Sequence, residues 1–278
     1  MTIDFRIKPP IPAWEGLFAE GRDAISKHFG ISGIESTRSE TLEQVIAEQD
    51  ALGITHAVIM GRGNEPGSSN EELAAFLTTQ PSKRFIGFIG ADGAGVEGAV
   101  ETIHRYAALG LFHGVSINPA VIQPGVALDD PSWDPIYEAA LQHRLPLSIT
   151  LSVFLGLFGS SPNYDYARPS ALVRAAKKYA DLKIIISHAG WPFISEAIAT
   201  AIYCPNIYLS PDVYLGFPGS SLYVEAANFT LSDRLLYGSC YPNVPYEFAI
   251  QHFRSHNWND GVLNKVLFEN SAKLLNLV

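Results

Sequence analysis

Apolar, β-branched runs alternate with amphipathic stretches along the whole chain, the pattern that β-α units leave in a sequence. Eight runs predict strands, at residues 3–7, 56–60, 85–89, 114–117, 147–151, 183–187, 207–209 and 235–237. Between them, residues 42–52, 71–80, 96–109, 133–143, 169–179 and 191–202 predict helices. In the first of these, Leu42, Val45, Ile46 and Leu52 share one face and Glu43, Gln44 and Glu48 fall outside it, as suits a helix laid on a sheet. Thr41 is placed as an N-cap, Pro169 and Pro192 stand at early helical positions, and Gly53 and Gly110 fall just past helix ends. Buried parallel strands joined by helices close most economically as a (β/α)8 TIM barrel. An open doubly wound sheet shares the pattern, but eight strands and the lack of a Gly-x-Gly-x-x-Gly turn favour the barrel.

Composition narrows the class. At 278 residues, 47% hydrophobic and 17% charged, the chain suits one compact enzyme-sized barrel, and no linker or repeat divides residues 1–278. A net charge of −9 without a basic run argues against a nucleic-acid partner. Cys204 and Cys240 lack disulfide-framework or metal-type spacing, and the first residues lack the charged and apolar regions of a secretory signal. No apolar run approaches the ~20 residues of a membrane helix. The expectation is a cytoplasmic enzyme. Two segments that follow strands, residues 61–70 and 152–168, are rich in Gly, Ser, Pro and Asn, and long loops at that end of a strand are where a barrel builds its site.

Three motifs carry a resemblance. Ile185-Ile186-Ser187-His188-Ala189-Gly190-Trp191-Pro192 resembles the sixth-strand motif of the amidohydrolase family typified by aminocarboxymuconate-semialdehyde decarboxylase, gamma-resorcylate decarboxylase and 2-pyrone-4,6-dicarboxylate lactonase. Tyr237-Gly238-Ser239-Cys240-Tyr241-Pro242 resembles its eighth-strand motif, and Glu269-Asn270-Ser271-Ala272-Lys273-Leu274-Leu275 its closing helix. The resemblance implies a barrel with a metal held by an Asp-x-His-x-His pair on strand one, a fifth-strand histidine, the sixth-strand histidine and an eighth-strand aspartate. Here strand one reads Asp4-Phe5-Arg6-Ile7-Lys8, the fifth-strand position falls near Thr150, and the aspartate is Cys240; of that set His188 alone is retained. One imidazole does not hold a catalytic zinc, and Arg6 and Lys8 would repel a divalent ion. The expectation is therefore no metal and no other cofactor, with the two cations supplying the positive charge that the ion supplies in relatives.

Each candidate has a plainer reading. A histidine at a strand end is often structural, but the motif around His188 assigns it to the site. Cys240 is either a nucleophile activated by His188 or a buried residue filling the aspartate's space. Arg6 and Lys8, two apart on a strand, point to one side, either inward toward a carboxylate or outward to the rim. Asp212 is the candidate acid or base, with Asn118, Arg62, Thr150 and Ser152 as further polar residues at strand ends. Cys204 reads as structural. Phe154, Phe158, Tyr164 and Tyr166 form either an apolar lid or loop packing. The expected function is a metal-independent hydrolase acting on a small carboxylate-bearing, lactone-like or amide-like substrate. The alternatives are a decarboxylase and a noncatalytic barrel that binds a small acid; relatives of this kind also form homodimers.

Overall fold

The computed structural model describes residues 1–8, 41–63, 69–152 and 167–277. Seven strands form one parallel sheet in sequence order: β1 (Thr2–Ile7), β2 (Ile54–Met60), β3 (Phe85–Gly90), β4 (Phe112–Ile117), β5 (Leu147–Thr150), β6 (Ile184–Ser187) and β7 (Ile207–Ser210). The eighth run is not a continuous strand. It joins the sheet through single bridges, Leu209 with Leu235 and Ile7 with Tyr241. The backbone N–H groups of Leu236 and Phe5 donate to the carbonyls of Leu209 and Tyr237 at 2.9 and 2.8 Å, so this segment is bonded to β7 on one side and β1 on the other. The fold is a TIM barrel whose eighth position is irregular, and that irregularity falls on the Gly238-Ser239-Cys240 turn.

Helices cover the outside: α1 (Leu42–Leu52), α2 (Asn70–Thr79), α3 (Gly95–Ala107), α4 (Asp134–Gln142), α5 (Leu172–Lys178), α6 (Ile194–Tyr203), α7 (Ser221–Phe229) and α8 (Tyr246–Arg254), with a terminal helical segment ending in Asn270–Leu274. Thr41 caps α1 in a full capping box with Gln44, and Gly53 ends it at φ 74°, a left-handed turn that glycine adopts without a Cβ penalty. Pro192 corrects an expectation: α6 begins only at Ile194, and Pro192 follows a cis peptide bond in the turn before it. Helices α7 and α8 had no counterpart in the predicted set.

The strand alternation sorts the barrel interior into two zones. Ile3, Phe5, Val58, Ile86, Phe88, Ile185, Tyr208 and Leu236 pack as one inward cluster, with Phe5 and Phe88 edge to face at 5.6 Å. Toward the C-terminal ends of the strands the inward places go to Ser116, Ser148, Thr150, Ser187 and Ser210, all buried. The outward residues Leu147, Ile149, Ile184, Ile186, Ile207 and Leu209 join the larger core beneath the helices. The apolar zone holds the barrel together, and the hydroxyl zone lies under its mouth. Among the described residues no helix is long and apolar enough to cross a membrane.

Candidate active site

Four strand-end residues converge. Asp212 Oδ2 lies 3.1 Å from Arg6 Nε and 3.1 Å from His188 Nδ1, and all three side chains are buried. Ser210 Oγ donates to the other oxygen of Asp212. His188, Asp212 and Cys240 each present a donor atom within 4.8 Å of the others. Arg6 reaches this point because the β1–β2 register is irregular between Asp4 and Ile7, which interrupts strict alternation just after the inward Phe5.

The backbone is strained at three of these residues. His188, Asp212 and Cys240 have φ of 64°, 53° and 60°, the left-handed region that side chains with a Cβ enter at a cost. The surroundings hold them there: Tyr223 Oη donates to the Ala189 carbonyl at 2.9 Å, and Cys240 N–H donates to the Arg6 carbonyl at 3.0 Å. Gly238 is required by close approach, since a Cβ on it would overlap Asp212 Oδ1 and lie 3.1 Å from Asp212 Cγ.

The electrostatics follow from burial and two cations. Burial pushes the Asp212 carboxyl upward, but contact with His188 and the charge of Arg6 outweigh it and hold the group below the usual carboxylate range. Burial, with the charges of Arg6 and Arg62, lowers His188 to about 4 against the pull of Asp212. Burial and the Asp212 charge push the Cys240 thiol up to about 12 despite Arg6. Near neutral pH the cluster is thus an ionised carboxylate, a neutral imidazole, a protonated thiol and a guanidinium. Beside these ion pairs, Arg6 Nη2 and, at the end of β5, Thr150 Oγ1 are buried without a hydrogen-bond partner among the described residues. Buried polar atoms are rarely left so, which makes the outer edge of the Arg6 guanidinium a footing for a polar ligand.

The remaining candidates are placed as follows. Arg62 lies 3.7 Å from Asp92 and near enough to His188 to lower its pKa. Asn118 accepts from Ala120 N–H as the cap of a short helical turn, and its own N–H donates to Asp92. Lys8 stands half-buried just past β1, its N–H donating to the Tyr241 carbonyl at 2.9 Å; the contacts to Asp212 come from Arg6 and His188. Ser152 pairs with the Tyr214 hydroxyl at 2.5 Å. Cys204 is buried at the end of α6. Phe154, Phe158, Tyr164 and Tyr166 lie outside the described residues. Two features escaped the sequence reading. One is an aromatic wall, with Tyr214 at 4.9 Å from His188 and Phe217 at 4.9 Å from Tyr214. The other is Asp4, whose Oδ1 accepts from Arg6 N–H at 3.0 Å and Ser239 N–H at 2.9 Å. Burial still raises the Asp4 carboxyl to about 7.

Comparison with known proteins agrees with this architecture. An uncharacterised TIM-barrel protein from Bordetella bronchiseptica aligns with a TM-score of 0.84 and 29% identity, over 99% of this chain and 98% of that one. 5-Carboxyvanillate decarboxylase from Sphingomonas paucimobilis aligns at 0.66 and 18%, over 99% and 98%. A probable 2-pyrone-4,6-dicarboxylic acid hydrolase from Acinetobacter baumannii, solved with citric acid bound, aligns at 0.63 and 15%, over 99% of each chain. No curated protein sequence matches. The model of the amidohydrolase family matches residues 40–277, most of the chain, and the chain belongs to that family.

Proposed function

We propose that this amidohydrolase-family enzyme hydrolyses a small, carboxylate-bearing cyclic ester or amide without a catalytic metal. The observation that carries the reading is the single oxygen, Asp212 Oδ2, shared at 3.1 Å by Arg6 and His188. A carboxylate facing His188 Nδ1 favours the tautomer with its proton there, which leaves Nε2 as the acceptor for a proton from water. The hydroxide so formed adds to the substrate carbonyl, Arg6 Nη2 faces the negative charge that develops on oxygen, and the imidazolium returns its proton to the leaving oxygen or nitrogen. Arg62, lying toward the same histidine, suits the substrate's carboxylate. Cys240 keeps its proton and lines the pocket as a thiol.

The family implies a metal, and His188, Asp212 and Cys240 are close enough to form a three-donor set. The donors do not fit a divalent ion, because the Arg6 guanidinium already sits on the carboxylate oxygen that such an ion would need. No step of the reaction runs through one.

A decarboxylase is the second reading, favoured by the carboxyvanillate enzyme among the similar structures. It requires a proton donor to the carbon that loses carbon dioxide. Asp212, held ionised, and neutral His188 are poor donors near pH 7. A panel of carboxylated lactones and carboxylated phenols, followed by acid release and by carbon dioxide, separates the two. Turnover of lactones that falls about 10²-fold or more in Asp212→Asn is expected; Asn is chosen because it tolerates the left-handed backbone. Carbon dioxide release with inert lactones would overturn the proposal.

A further inference from the structure

A pocket opens at the end of the barrel opposite the candidate active site. Its volume is about 750 Å³, within the range of small-molecule sites. Its lining comes from residues that precede strands: Pro146 before β5, Lys183 before β6, Pro205 before β7 and Arg234 before the eighth segment, joined by Lys273 of the terminal helix. The residues of the candidate active site follow their strands. At about 3.3 Å per residue, the step along β6 from Lys183 to His188 separates the two places by roughly 16 Å.

The charge of this pocket runs against that of the molecule. Arg144, Lys183, Arg234 and Lys273 face two carboxylates, Asp181 and Asp233, in a chain whose net charge is −9. Arg234 is engaged, 3.5 Å from Asp233 and bonded to the Ala201 carbonyl. Among the described residues Arg144, Lys183 and Lys273 make no ion pair, and all three are exposed. With Arg234 set against Asp233, three cations remain against the single carboxylate of Asp181, an excess of positive charge that an anion would offset. Tyr208, an inward residue of β7, also lines the pocket and adds a polar end to an otherwise Leu and Pro base.

We infer that this pocket at the N-terminal end of the barrel binds a small polyanion, a ligand carrying a phosphate group or several carboxylates, through Arg144, Lys183 and Lys273. The site is independent of the reaction proposed at the mouth.

The test is titration calorimetry of the intact protein with pyrophosphate and, separately, citrate, at low and raised salt. Lys183→Gln/Lys273→Gln changes exposed side chains, so retention of the fold is checked by an unchanged thermal midpoint. Arg6→Met reports on binding at the mouth. The expected result is one saturable site for at least one probe, weakened about tenfold or more in the double lysine variant and by salt, and retained in Arg6→Met. The two probes tell whether phosphate or carboxylate is the recognised group. No saturable binding of either up to about 10 mM, or binding that Arg6→Met abolishes and the lysine variant leaves intact, would overturn the inference.

Discussion

In the proposed reaction Asp212 is the residue on which the chemistry turns, because burial alone would protonate it and two neighbours prevent that. Its partners inherit opposite consequences: Arg6 and Arg62 help depress the imidazole, while the Asp212 charge helps keep the thiol of Cys240 protonated. A cysteine beside a histidine is the usual signature of a nucleophile, but here the carboxylate between them works against the thiolate. Thiolate absorbance should therefore fail to appear below about pH 10, and Cys240→Ser should lower kcat less than about tenfold. A thiolate titrating near pH 7, with activity following it, would restore the nucleophile.

Asp4 and His188 also give opposed linkages. Asp4 is raised from 3.8 to about 7, so its stabilising share is present below the lower value and is lost as pH rises through about 7. His188 is lowered from 6.5 to about 4, so its share is present above the upper value and is lost as pH falls through about 4. Between about pH 4 and 6.5 the two slopes cancel. In Asp4→Asn the opposing slope is removed, and stability from urea unfolding should rise with pH more steeply than in the wild type, by up to ~1.4 kcal/mol per pH unit. Equal slopes in the two proteins would mean that Asp4 titrates normally.

At the scale of elements, the candidate site depends on three turns that follow β6, β7 and the eighth segment. Each carries a site residue at positive φ, and the turn after β6 adds Ala189 and Gly190. Gly238 is the point where two of these turns touch, and its lack of a Cβ admits the Asp212 carboxylate. Gly238→Ala should move Asp212 and cut kcat about 10²-fold, at a stability cost of about 1–3 kcal/mol. Unchanged kcat would place the reaction away from Asp212. Seven strands, the helices α1 to α6 and caps such as Thr41 and Gly53 are legible because local periodicity and cap chemistry decide them, whereas α7 and α8 are not. The closing eighth segment is less legible than the seven strands, since single bridges leave little alternation to read. The period-two argument pairing Arg6 with Lys8 met the register irregularity after Asp4, which sequence does not reveal. The alternation of Ser148 and Thr150 within Leu147–Thr150 is the sequence signal of the hydroxyl zone.

Across the whole molecule, the barrel separates two polar regions by its apolar interior: the buried candidate active site at the strand C-termini and an exposed cationic pocket at the N-termini. His188, Asp212, Cys240 and Arg6 could be named from strand ends and motifs, but their contacts could not, because the sharing of Asp212 is a matter of tertiary position. Under the proposed function, Arg6 takes the place of the charge that a metal supplies in the family. The most direct test is metal analysis of protein purified without chelator, paired with lactone turnover before and after dialysis against a chelator. The account predicts far less than one equivalent of zinc or manganese and unchanged turnover. One full equivalent that survives buffer dialysis, with turnover lost on chelation and restored by the ion, would contradict it.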